Sequence, residues 1–132
     1  LWHTPGRDFG KGTKTEFTVL RVTAGGDYQI WLDFNGSDGK LRLVARKDGK
    51  YLWESAVRSK IDSWTNSWYN IRVSFGDKGA ALWVNGELQE ESRRKWPAVA
   101  ELTKVQLGAT WRTFGLFDEL KIYDLGLKDK KN

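Results

Sequence analysis

Between Ser67 and Glu87 apolar and polar side chains change places at almost every residue, and few folds are open to a chain with that alternation. Tyr69, Ile71, Val73 and Phe75 fall on one face of an extended segment, with Trp68, Asn70, Arg72 and Ser74 on the other. That is the pattern of a strand with one face in a core. Gly76-Asp77-Lys78-Gly79 supplies a turn, after which Ala80, Leu82 and Val84 resume the apolar face and Ala81 and Trp83 oppose it. Asn85-Gly86 suits the positive φ angles of a second tight turn. The stretch predicts a hairpin whose non-core face carries Trp68, Arg72 and Trp83.

The remaining segments read as further strands. In Glu16 to Val22, Phe17 and Val19 share one phase while Leu20 and Val22 share the other, which requires burial on both faces or a bulge. Tyr28, Ile30, Leu32 and Phe34 alternate inward against Gln29, Trp31 and Asp33. After a polar turn at 35–39, Leu41, Leu43 and Ala45 continue the buried face against Arg42, Val44 and Arg46. Residues 51–57 alternate ambiguously, and the expectation there is Trp53 inward. A polar loop at 58–67 carries Trp64. Residues 87–100 are the one candidate for non-strand structure, a short helix or loop ended by Pro97 and anchored by Trp96. Val105 to Gly108 reads as a short strand, and residues 109–115 as a loop with Trp111 at its middle. The first 13 residues form an entry arm whose Trp2 and Phe9 pack on the body. Strands recurring every eight to twelve residues or so between Gly-rich turns, with no helical period, predict an all-β, two-sheet antiparallel sandwich.

Two stretches carry a family resemblance: the strand opening on Trp68 with the later Trp83-Val84-Asn85-Gly86 turn, and the closing Gly115-Leu116-Phe117-Asp118-Glu119-Leu120-Lys121-Ile122-Tyr123. Together they resemble the laminin-G-like branch of the concanavalin A-like lectin/glucanase jelly rolls. The resemblance implies a jelly-roll topology and, in many members, a structural calcium ion. Asp118 is the nominee for that ion, because its phase places it with Leu120 and Ile122 where a bare carboxylate is costly. Hydrogen bonds from backbone amides would satisfy it equally.

At 132 residues the chain has the length of one domain, assigned to residues 1–127 with a charged tail at 128–132. It has no cysteine, which excludes disulfides and thiolate metal sites. No apolar run reaches the length of a membrane span. Opening on Leu1-Trp2-His3 without Met is expected of a piece of a longer protein or of a processed form. The net charge of +5 comes from 22 basic and 17 acidic residues interleaved along the strands. The tight cluster Arg93-Arg94-Lys95 reads as a solvated loop.

Part of the resembled superfamily hydrolyses glycosidic bonds with carboxylates on one face of a strand. Asp118 and Glu119 are adjacent and so point to opposite faces, while Glu87, Glu90 and Glu91 fall in the expected non-strand segment. With a single His and no Gly-Xaa-Ser-Xaa-Gly elbow, nucleophilic triads are unsupported. A non-enzyme is expected, with glycoside hydrolase as the remote alternative.

The eight Trp residues exceed what a sandwich of this size needs in its core. Trp31 and Trp83 stand on the non-core phase beside Asp33, Arg42 and Arg72, a flat aromatic surface with short polar partners that would suit a sugar ring. That combination requires their strands to lie in one sheet; the alternative puts them on the outer faces of different sheets. Trp111 is a third candidate, as a ligand contact or a loop anchor. The arginines would meet uronate or sulfate groups, or pair with nearby carboxylates. The expected function is a non-catalytic, carbohydrate-binding module of a larger extracellular or cell-surface protein, with polysaccharide or other domains of the parent chain as partners. The rival is a structural or adhesion domain with no glycan ligand. Nucleic acid is not expected, since no RNP-like strand, zinc spacing or basic helix is present.

Overall fold

A computed structural model describes residues 2–3, 9–12, 16–24, 27–65, 67–94, 96, 102–108, 116–117 and 119–122. In chain order these form β1 (Trp2–His3), β2 (Phe9–Gly10), β3 (Glu16–Ala24), β4 (Tyr28–Asn35), β5 (Lys40–Lys47) and β6 (Lys50–Tyr51). A single 3₁₀ turn at Trp53–Ser55 leads to β7 (Val57–Arg58), β8 (Ser63–Trp64) and β9 (Trp68–Tyr69). Then come β10 (Ile71–Gly76), β11 (Gly79–Val84), β12 (Glu87–Ser92), β13 (Leu102–Leu107) and β14 (Leu116–Phe117). Among the described residues there is no α-helix, and no helix long and apolar enough to cross a membrane.

The strands assemble into two main antiparallel sheets. The larger has six strands in the order β13-β3-β4-β5-β6, with β7 also on β5; the smaller is the meander β10-β11-β12. Two minor sheets accompany them, β14-β1-β9 and β2-β8. The expected hairpin is present, with Ile71 opposite Val84, Val73 opposite Leu82, and Phe75 opposite Ala80. Asn85 and Gly86 both adopt positive φ in the following turn. Gly79, after the first turn, lies so close to the end of β12 that an added Cβ would collide with the Ser92 carbonyl oxygen.

The inner faces meet in one cluster that includes Phe17, Ile30, Leu32, Phe34, Leu41 and Leu43 from the larger sheet and Ala80, Leu82 and Val84 from the smaller. Phe17 and Phe34 stack with ring centres 4.9 Å apart. The two-phase reading of β3 is resolved by a bulge between Thr18 and Leu20. Phe17, Leu20 and Val22 thereby lie opposite the inward residues Phe34, Leu32 and Ile30 of β4.

Four expectations are corrected. Residues 87–92 form strand β12, because β11 would otherwise leave its outer row of backbone groups unpaired. Its register shifts opposite Leu82 and Trp83, and Gln89 turns inward, accepting hydrogen bonds from the amides of Lys60 (2.9 Å) and Ile61 (3.2 Å). Trp53 is 46% exposed rather than inward, because β6 ends after two residues and the 3₁₀ turn rotates the ring out while Leu52 packs on the core. The 58–67 segment is not wholly a polar loop. Its Trp64 is fully buried in β8, donating Nε1–H to the Gly39 carbonyl at 2.8 Å. Leu120 and Ile122, expected on a core phase, are exposed, and the closing strand is described only at Leu116–Phe117. Trp96 is fully buried, as an anchor requires, and its amide donates to the Gly76 carbonyl at 3.0 Å. The 128–132 tail lies outside the described residues.

Trp64→Phe keeps most of the ring but strands the buried Gly39 carbonyl, and is expected to cost about 1–3 kcal/mol. Urea unfolding measures this; a loss below about 0.5 kcal/mol would mean the bond carries no net stability.

Candidate functional site

Side chains of residues paired in register share a face of the sheet. On the face of the larger sheet turned away from the core, Arg21 of β3, Trp31 of β4 and Val44 of β5 form one row. Thr23, Gln29, Arg46 and Tyr51 form the next, and Thr18, Asp33, Arg42 and Arg58 lie on the other side. This is the outer complement of the Ile30-Leu32-Phe34 core row, produced by the same alternation. Val44 is fully buried and Thr18 nearly so, which makes this face a packed surface rather than a fringe of solvated side chains.

Trp31 sits at its centre. The Arg21 guanidinium lies 3.7 Å from the ring centre and that of Arg46 lies 4.4 Å from it, reaching in from strands that flank β4 on opposite sides. The Trp31 Nε1–H donates to the Gln29 side chain at 2.9 Å. Arg46 also lies 4.7 Å from the Tyr51 ring and donates Nη2–H to the Gly49 carbonyl at 2.8 Å. Tyr51 stacks on Trp53 at 4.5 Å, and Arg42 lies 5.0 Å from the Trp53 ring centre. Guanidiniums and rings thus interleave across four strands and the 3₁₀ turn, each guanidinium–ring contact adding roughly 0.5–2 kcal/mol of cation–π attraction.

Asp33 lies in the row of Arg42 and Arg58, next to the row that carries Arg21. Burial pushes its carboxyl up to about 6, against the lowering pull of a hydrogen bond with Thr18 and of the charges on Arg42 and Arg21. Its Oδ1 is buried without a hydrogen-bond partner, as are the Nε groups of Arg21, Arg42 and Arg46.

The sequence candidates are therefore divided. Trp31, Asp33 and Arg42 come together on the larger sheet. Trp83 and Arg72 face each other in register on the smaller sheet, with the Arg72 guanidinium 4.9 Å from the Trp83 ring. The condition that both Trp strands share one sheet is not met. Trp111 and Asp118 lie outside the described residues, and among those described no group of three or more His, Asp or Glu is placed to hold a metal ion. Sequence reading passed over Arg21, Tyr51 and Trp53 as site residues. Arg21 was hidden by the β3 bulge, which reverses the phase of the strand, and the two aromatics by a segment whose alternation pointed both ways.

A family model of the concanavalin A-like lectin/glucanases superfamily, Laminin_G_3, matches residues 1–131. The chain belongs to this family. Neither the curated proteins nor the solved structures give a match to it.

Because folding raises the Asp33 carboxyl from an ordinary 3.8 to about 6, the folded state holds a proton that the unfolded chain has released between those values. Stability is expected to fall as pH rises from about 4 to 6 and to level off above, the whole effect being on the order of 3 kcal/mol. Asp33→Asn should flatten that slope and exceed the parent in stability at pH 7. Unfolding at pH 4.5 and pH 7 tests this, and equal slopes for the two proteins would overturn it.

Proposed function

We propose that this domain is a non-catalytic carbohydrate-binding module of an extracellular or cell-surface protein, holding a glycan across the outer face of the larger sheet at Trp31, Asp33 and Arg42. The observation that carries the reading is the layer of alternating rings and guanidiniums. A polysaccharide presents C–H faces and hydroxyl rims along an extended chain, and a flat sheet bearing apolar rings among fixed donors complements both. The roles within the layer differ. Trp31, with a guanidinium from either flanking strand over its ring, acts as the platform that orients Arg21 and Arg46. Trp53, 46% exposed and backed by Tyr51, offers the ring surface for a sugar.

A second reading draws on the smaller sheet. Leu88 pairs with Trp83, which pairs with Arg72; Leu88 is 43% exposed and Trp68, next to β10, 45%. Exposed apolar side chains of this kind suit a neighbouring domain or an adhesion partner rather than a sugar. Glycosidic cleavage is the third class, since a carboxyl raised to about 6 has the ionisation of a general acid. Burial of Asp33 among arginines argues for a positioning role instead.

Titration of Trp fluorescence with a panel of polysaccharides separates the three. The expected result is saturable binding that Trp31→Ala and Trp53→Ala each weaken at least tenfold and Trp83→Ala leaves within about twofold, with no reducing ends released. Loss in Trp83→Ala alone moves the site to the smaller sheet; release of reducing ends makes the protein an enzyme; absence of any binding leaves the adhesion reading.

A further inference from the structure

The carbohydrate reading says nothing about the charge of the glycan, and the arginine arrangement does. Strands β3, β4 and β5 carry two carboxylates, Glu16 and Asp33, while Arg21, Arg42, Arg46 and Arg58 share the outer face. Arg42 and Arg58 stand directly opposite each other on neighbouring strands, a like-charge pair that weakens a sheet unless a counter-charge is present. Arg21 and Arg46 converge on a single ring. Among the described residues no ion pair joins Asp33 to an arginine, although both Arg42 and Arg21 act on its charge. Among the described residues of these strands, arginines on the outer face outnumber carboxylates.

The donor edge matters as well as the charge. A guanidinium carries five in-plane N–H donors, and stacking on an aromatic ring consumes its face but not its edge. The Nε groups of Arg21, Arg42 and Arg46 are buried with no hydrogen-bond partner, so the donors open to an oxyanion are the outer ones of these partly exposed side chains. Arg46 is further fixed by its bond to Gly49, so its fork is set before any ligand arrives. Fixed guanidinium forks are the protein's preferred partners for sulfate and carboxylate oxygens.

The spacing narrows the class of ligand. The backbones carrying Arg21 and Arg46 lie two strands apart, roughly 10 Å, and Arg42 and Arg46 are four residues apart on one strand, roughly 13 Å. Their guanidiniums nonetheless form a series, with Arg21 and Arg46 converging on the Trp31 ring and Arg42 lying over the Trp53 ring, which a chain carrying repeated charges can follow.

Resting on the carbohydrate reading above, we propose that the Arg21-Arg42-Arg46 layer selects acidic polysaccharides, engaging sulfate or carboxylate groups repeated along one chain. Trp31, Tyr51 and Trp53 hold the guanidiniums in place. Neutral glycans of the same backbone offer the guanidiniums no opposite charge and bind more weakly.

The test compares dextran, dextran sulfate and polygalacturonate of matched length by calorimetry at two salt concentrations, with short single-stranded DNA as a fourth arm. Arg21→Gln and Arg46→Gln are set against Lys78→Gln, in the exposed turn between β10 and β11, as the charge control, and folding of each variant is verified by urea unfolding. The expected result is binding of one or both acidic polymers at least tenfold tighter than dextran, weakened by salt. Each arginine variant should lose about a further tenfold, and Lys78→Gln should lose less than twofold. The sulfate and carboxylate arms identify which acidic group is preferred. Equal affinity for dextran and the acidic polymers, unchanged in the arginine variants, would overturn the proposal while leaving the carbohydrate reading intact. DNA bound as tightly as the acidic polysaccharides would also overturn it, in favour of a general polyanion surface. No binding of any polysaccharide would sink both readings together. If Arg21→Gln fails to fold, Arg46→Gln and the salt dependence of the parent still decide.

Discussion

Successive side chains of a strand leave on opposite faces, so β4 has to meet two packing demands with one run of residues. Ile30, Leu32 and Phe34 go into the core, and Gln29, Trp31 and Asp33 are committed by the same geometry to the other side. Nearly everything distinctive about the outer face follows from that commitment. A Trp at its centre is too large to leave in water without cost, and the neighbouring strands cover it with guanidiniums that stack on the ring while keeping their polar edges available. Asp33, two residues on, is then enclosed among arginines, where burial outweighs their attraction and holds the carboxyl near neutrality's acid side.

The surplus of Trp is resolved by position. Trp64 and Trp96 are core residues, fully buried. Trp31 and Trp83 each lie beneath an arginine on the outer face of a different sheet. Among the described residues Trp53 and Trp68 are the half-exposed ones, Trp53 stacked on Tyr51 beside the larger sheet's outer face and Trp68 in β9 just before β10. The molecule therefore has two aromatic surfaces of different character. The one on the larger sheet is rich in fixed cations, and the one on the smaller sheet pairs a single arginine with exposed leucine and tryptophan. A polar, chain-like ligand suits the first and an apolar partner the second.

Local packing shows how firmly the cationic face is supported. Ser59 accepts from the Leu41 amide and donates to the Ile61 carbonyl, and Gln89 receives the two following amides, so the segment after β7 is tied both to β5 and to the far edge of the smaller sheet. These bonds fix β7, and with it Arg58, against β5. The cationic face thus depends on polar groups buried in the seam between the sheets.

Period-two alternation in the sequence determined the inward rows of β4, β5, β10 and β11, the hairpin turns at Gly79 and Asn85-Gly86, and hence the sandwich, because core burial acts on one strand at a time and leaves its mark in one strand's sequence. It also determined that Trp31, Asp33 and Arg42 would share a phase. What it could not contain was which strands pair. Glu87 to Ser92 carries helix-compatible residues and became a strand because an edge of β11 needed a partner. Trp31 and Trp83 carry the same local signal yet belong to different sheets, and Arg21 reached the Trp31 ring only through a bulge whose place is set by pairing with β4. Pairing is a relation between distant segments, satisfied by backbone hydrogen bonds that are alike for every side chain, so the partners of the site were decided by the tertiary structure alone.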